Sequence, residues 1–258
     1  MSDIDPFRLS FDEAIQFFKA KLPLPSSTWD DFADEANDYV FAIAGVTSAE
    51  LLDSAYQLIQ KALEEGITYE EFKKGFEAAS DRTGWNPASK PWRQQLIFMQ
   101  NLRNAYQAGR YKQQTDPEML KLRPYWMWRH RDSRVPRPHH LALDGKIFPA
   151  DSDFWKNSYP PSGFGCRCTV LALSPRDIER EGLTVSEPPT ETVTIKDKVT
   201  GESKKIPSIG GVPIAEPGFT TAPGASEKKD RKAILNNAIA RMPKGLQKQV
   251  RERLKNGR

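Results

Sequence analysis

The hydrophobic period of this chain changes at Asp116, which divides a stretch that can fold as successive helices from a mixed remainder. Before it, apolar residues recur at helical spacing between caps and stops; after it, short apolar runs alternate with turn residues. Ser10 and Glu13 form a capping-box pattern ahead of Phe11, Ala14, Ile15, Phe18 and Leu22, with Pro23 and Pro25 as the stop. Thr28 precedes a second stretch through Phe32, Ala36, Tyr39, Val40 and Ile43, closed by Gly45. Thr47 with Glu50 opens a third and Thr68 with Glu71 a fourth; the fifth spans about Trp92 to Gln114. Helices joined by such short loops bury their stripes against one another or against the segment beyond Asp116.

After Asp116, PYWMWRHR and the run from Cys168 to Leu173 read as strands, with short helices near His140 to Leu143 and Asp153 to Asn157. Ser174 and Pro175 cap a further short helix, and the alternation on either side of Thr200 and Gly201 predicts a hairpin. Proline and glycine crowd 207–224, which implies an irregular path. In 225–258, Leu235, Ile239, Met242, Leu246, Val250 and Leu254 predict one helix interrupted at Pro243 or two short ones. The expected fold is α+β: a helical N-terminal region (1–115), a compact, loop-rich core with a small antiparallel sheet (116–224), and a helical, basic C-terminal extension (225–258).

Charge is distributed unevenly. The extension holds 11 Lys and Arg against three acidic residues, a net +8 in a chain of net +4, so the remainder carries −4. No apolar run approaches the roughly 20 residues of a membrane span, and the start lacks a cationic and apolar leader, so no membrane partner is expected and assembly in the cytoplasm is. The two cysteines are too few for a disulfide framework, and a bridge between i and i+2 closes a strained ring, so reduced thiols are expected.

Both cysteines fall in Cys166-Arg167-Cys168, within 30 residues of His139 and His140. On a strand, i and i+2 face the same way, which would present two sulfurs to one ion. Two thiolates with one or two imidazoles make a sound zinc site, with His140, Cys166 and Cys168 as ligands and His139, His130 or Asp144 as candidates for a fourth. The alternative is that the cysteines are small buried hydrophobes and His140 bonds a backbone carbonyl. A cysteine nucleophile with His140 as base and Asp144 as orienter, or a phosphate site of Arg134, Arg137 and Arg167, would make the chain an enzyme. No P-loop, dinucleotide fingerprint or G-x-S-x-G occurs, and no catalytic or cofactor-binding residue is assigned. The aromatic and basic RPYWMWRHR reads as a core strand rather than a nucleic-acid platform.

The segments RDSRVPRPHHLALDGKIFPADSDFW and YPPSGFGCRCTVLAL resemble the core signature of the phage Mu F-like minor head proteins, the head morphogenesis family. That signature runs from an arginine-rich turn through R-P-x-H-x-x-x-x-G and an acidic, aromatic segment to P-P-x-x-x-x-C-R-C. It falls here on Asp132, Arg134, Arg137, Pro138, His140 and Gly145, then on Pro160, Pro161, Cys166, Arg167 and Cys168. GITYEEFKKGF and LRNAYQAGRYKQQ are similar to the family's helical region. EPGFTTAPG resembles its closing element, with Thr221 and Ala222 where Tyr and Asn are usual.

The resemblance implies a structural, non-enzymatic virion protein of few copies at the portal vertex or capsid interior. It would be needed for head morphogenesis, with the portal and capsid or scaffold proteins as partners and roles in DNA packaging or delivery. It also raises the expectation of structural zinc at His140, Cys166 and Cys168. The basic extension would meet packaged DNA, or dock on the portal through Leu246, Val250 and Leu254. Other readings are a DNA-binding packaging factor, or a nuclease or ADP-ribosyl transferase using His140 and the arginines.

Overall fold

The computed structural model describes residues 11–255 apart from 33, 86–89, 132, 134, 197–200, 202 and 229. In the N-terminal half the helices are α1 (Asp12–Lys19), α2 (Ala49–Glu64), α3 (Tyr69–Thr83) and α4 (Pro91–Gln114). Local chemistry explains α3: Thr68 Oγ1 accepts from Glu71 N at 3.3 Å, while Glu71 takes the Thr68 N–H at 2.7 Å. On α2 the cap is Ser48, one residue later than the Thr47 expected, and its side chain accepts from Leu51 N at 3.3 Å. Ser10 lies outside the described residues, and α1 stops at Lys19 rather than continuing to Leu22. Leu22–Pro23 instead forms β1, paired in parallel with β2 (Val40–Phe41). Phe18, Phe41, Leu51, Phe72, Phe76 and Phe98 meet in the core of this half.

Where a helix is expected from Thr28 to Ile43, the chain instead makes two 3-10 turns, Trp29–Phe32 and Asp34–Asp38. Its aspartates bond to backbone elsewhere and so compete with helical pairing. Asp31 accepts from Ser27 N (2.7 Å) and Thr28 N (3.0 Å). Asp34, at a φ of 49°, accepts from the Thr220 N–H (2.7 Å) and hydroxyl (2.8 Å). Asp38 accepts from Gly224 N and Ser226 N, each at 3.0 Å. The closing EPGFTTAPG element is therefore fastened through Thr220 and Gly224, neither of them a position where it departs from the family pattern.

After α5 (Pro117–Leu122) come β3 (Tyr125–Arg129), α6 (Pro138–Leu141), β4 (Ile147–Pro149), α7 (Phe154–Ser158) and β5 (Thr169–Leu173). The strands form an antiparallel sheet in the order β4-β3-β5, with Trp128 opposite Val170. Trp126, Trp128, Phe148, Phe154, Trp155 and Tyr159 fill the space behind it. Along β5, α4 contributes side-chain donors: Arg110 (2.9 Å) and Gln114 (3.2 Å) donate to the Val170 carbonyl. With Gln107, which donates to the Cys168 carbonyl at 3.4 Å, these bonds satisfy backbone acceptors without another strand, and they explain why α4 buries Gln107 and Gln114.

Ser174 caps α8 (Pro175–Glu181) with a full capping box. The hairpin is β6 (Thr192–Lys196) with β7 (Ser203–Ile209), continued by the short β8 (Val212–Pro213); Thr200 of its turn lies outside the described residues. The C-terminal extension forms two helices, α9 (Arg231–Ala240) and α10 (Lys244–Lys255), divided at Pro243. Leu235, Ile239, Leu246 and Val250 pack on Phe32, Tyr39 and Val40. The apolar face considered for portal docking is thus buried within the chain. The mixed α+β class and the helical C-terminus agree with the expectation from sequence.

Candidate metal centre

Two loops and one helical turn converge behind the β-sheet. Arg137 is extended, as a residue before proline prefers, and Pro138 starts α6, which turns His140 inward. From the other side, a run beginning at the cis Pro160-Pro161 bond turns at Gly165, whose φ of 69° suits glycine. Cys166 and Cys168 lie in this run-in, before β5 begins, not on the strand expected for them. Their alternation survives because the approach is extended: both cysteines are buried while Arg167 between them is exposed. Gln100 Oε1 and Gln107 Nε2 of α4 hold this loop, binding Gly165 N at 2.9 Å and the Cys168 carbonyl at 3.4 Å.

His140 Nδ1 lies 3.7 Å from both Cys166 Sγ and Cys168 Sγ, and the three donor atoms fall within 4.8 Å of one another. All three residues are buried, His140 at 2% exposure. Its Nε2 is 2.8 Å from the Ile214 carbonyl. A carbonyl can only accept, so Nε2 carries the proton and Nδ1 turns a lone pair toward the sulfurs. The thiols are free and share a hydrogen bond: Cys168 donating to Cys166 pushes the Cys166 thiol well down and the Cys168 thiol up. Trp128 stands edge-on to His140 at 5.5 Å. Its buried Nε1 has no conventional acceptor, and the indole N–H favours the thiolate of Cys168.

A tetrahedral zinc with ordinary Zn–S and Zn–N bonds places sulfur about 3.6 Å from nitrogen, so the donors fit zinc with little movement. The fourth-ligand candidates are placed differently. Asp144 accepts from His130 N at 2.8 Å and pairs with Arg129 at 3.4 Å, so it does not orient His140. His139 is half-buried, its ring 4.6 Å from that of His140.

Sequence reasoning missed the third support of the site, residues 214–216. Besides the Ile214 carbonyl, Glu216 accepts from Arg137 (2.7 and 3.0 Å) and from Phe164 N (3.3 Å), and its own N–H donates to Ser162 O. Arg137 also donates to the Phe164 carbonyl at 2.9 Å. Gly163 is required by this clasp, because a Cβ there would lie 2.6 Å from the Glu216 carboxylate. Asp132 and Arg134 lie outside the described residues.

Residues 55–171 match the model of the Phage Mu protein F like family. Over this stretch the chain is Mu F-like. It is 29% identical over 276 aligned positions to the F protein of Escherichia phage Mu, whose name assigns it to capsid assembly; the match covers 97% of this chain and 62% of that protein. It is 34% identical over 190 positions to the Mu-like prophage FluMu F protein of Haemophilus influenzae, covering 67% of this chain and 45% of the relative. The chain thus spans about half of the curated relatives it matches. No solved structure matches it. His140, Cys166 and Cys168 all lie within the Mu F-like match, whereas Ile214 and Glu216 lie beyond it.

Proposed function

We propose that this Mu F-like chain is a structural component of phage head assembly whose core is fastened by zinc at His140, Cys166 and Cys168. The capsid-assembly name of the phage Mu relative supports the first part. The observation that carries the second is a buried imidazole whose tautomer is set by Ile214, with its free nitrogen facing two thiols. When bound, zinc would supply a cross-link between α6 and the loop entering β5, in a region built on a three-stranded sheet. The chain's part is to neutralise the site and orient it, with the Trp128 N–H on one sulfur and the Ile214 carbonyl behind the imidazole.

Such a site holds and does not turn over substrate. His140 is out of solvent with both ring nitrogens engaged, and Arg137 is committed to Glu216, which argues against a nuclease or ADP-ribosyl transferase at this place. Location at the portal vertex or capsid interior, with the portal and capsid or scaffold proteins as partners, completes the proposal. Among the described residues, no helix is long and apolar enough to cross a membrane.

Elemental analysis after metal-replete expression should find about one zinc per chain, lost in Cys166→Ser and His140→Ala, and a chelator should lower the melting temperature. Stoichiometry near zero in the folded wild type rejects the zinc clip. Co-expression with the portal tests the partner separately: failure to co-purify rejects portal association and leaves the clip standing.

A further inference from the structure

On α10 the apolar residues Leu246 and Val250 are buried against the N-terminal half, and Arg253 is turned inward, donating to Asp53 and to the Pro23 carbonyl. This anchoring fixes which side of the helix faces water. Lys244, Lys248, Arg251 and Lys255 stand at i, i+4, i+7 and i+11 and are exposed. At 100° per residue they lie within about 60° of arc, a straight row about 16 Å long. Glu252 lies at the edge of this row, 4.0 Å from Lys248. Beside it a trough of about 490 Å³ between α9 and α10 is lined by Leu22, Leu235 and Leu254 together with Arg231, Lys232, Arg251 and Lys255.

We infer that this row is a binding surface for the phosphate backbone of duplex DNA, read by charge alone. Three observations select that partner. The row carries one sign of charge at helical spacing and no aromatic or aliphatic anchor, and the leucines of the trough beside it are buried or half-buried; a stable protein interface is built around an exposed anchor, and a polyphosphate needs none. A basic amphipathic helix lies on a membrane by inserting its apolar face, and the apolar face of α10 is already inside the protein. Duplex DNA carries a charge about every 1.7 Å of axis, so a 16 Å row meets more phosphates than it has cations in any register. The binding is therefore independent of sequence and driven by counterion release. The inference rests on the head-assembly reading only for where the chain would meet DNA.

The test uses the full chain and a fluorescent 30-base-pair duplex of arbitrary sequence, with anisotropy read across salt. Four phosphate contacts give a slope of log affinity against log salt of about −3.6, or about a 150-fold loss between 50 and 200 mM. The fourfold Gln variant (K244Q, K248Q, R251Q, K255Q) keeps strong helix formers on α10, and circular dichroism checks that it stays helical. It should lose most of the affinity and most of the slope, while a second DNA sequence should bind the wild type equally. A control removing the same charge elsewhere, from Lys61, Lys74, Lys90 and Lys146, should retain both. The assignment is overturned if the control loses as much as the row variant, if the row variant keeps the wild-type slope, or if polyglutamate or anionic vesicles compete as well as DNA at equal charge. Because the readout is binding by the purified chain, its failure leaves head assembly standing, and failure of head assembly would leave this result intact.

Discussion

Gly163→Ala puts the clasp around the candidate metal centre to a quantitative test. The backbone at Gly163 is not left-handed, so alanine there would by itself stabilise by about 0.4–1 kcal/mol through a less mobile unfolded chain. The obstacle is Glu216. An added Cβ would lie 2.6 Å from its Cδ and Oε2 and 2.8 Å from Oε1, so the carboxylate must swing away. In doing so it leaves Arg137 Nε (3.0 Å), Arg137 Nη2 (2.7 Å) and Phe164 N (3.3 Å). Bonds to a charged group are worth about 1.5–3 kcal/mol when shielded. The Arg137 and Glu216 side chains are 28% and 37% exposed, so water recovers part of that, and a net cost of about 1–2 kcal/mol is expected.

Urea unfolding followed by tryptophan fluorescence, with Trp126, Trp128 and Trp155 in the core, measures the cost directly. The decisive comparison is a double-mutant cycle. In a Glu216→Ala background the steric conflict is gone, and Gly163→Ala should be neutral or stabilising, a coupling of about 1 kcal/mol or more. Equal costs in both backgrounds, additive within about 0.5 kcal/mol, would refute the claim that Glu216 is what requires glycine at 163.

Trp128→Phe removes the indole N–H that favours the Cys168 thiolate. It should weaken zinc binding about 10-fold in chelator competition and shift the sulfur-to-metal charge-transfer band of the cobalt-substituted protein. Unchanged affinity and spectrum would confine Trp128 to packing. Burial pushes the Lys21 ammonium down to about 8, against the pull of Asp38. Below pH 8 its buried charge costs stability in full. Between about 8 and 10.5 the folded chain releases the proton while the unfolded chain keeps it, so stability rises with pH. Relative to Lys21→Met, the wild type should gain about 3 kcal/mol across that window, and a flat difference would reject the buried charge.

Much of the fold is legible from spacing because its causes are local. The Thr68 and Glu71 capping box, the length of α4, the strands β3 and β5 and the break at Pro243 each depend on residues close in sequence, whereas β4 carries no such signal. The stretch from Thr28 to Ile43 misleads because its apolar spacing suits a helix, while Asp34 and Asp38 bond to partners nearly 190 residues away. A similar gap hides Glu216 and Ile214: no spacing within HHLALDG or GFGCRC announces a clasp supplied some 50 to 80 residues later.

Local sequence dictates where most helices start and stop, that a mainly helical beginning gives way to short strands, and that one imidazole and two thiols are available near each other. These features arise from side-chain period and from the chemistry of neighbouring residues. Tertiary packing is needed before His140 presents Nδ1 to both sulfurs and Glu216 locks the loop. The same packing turns the apolar face of the extension inward and its lysines out. Each of these depends on which distant surface covers which face, and burial on that scale is settled by the packing of the whole chain, where local spacing carries no information.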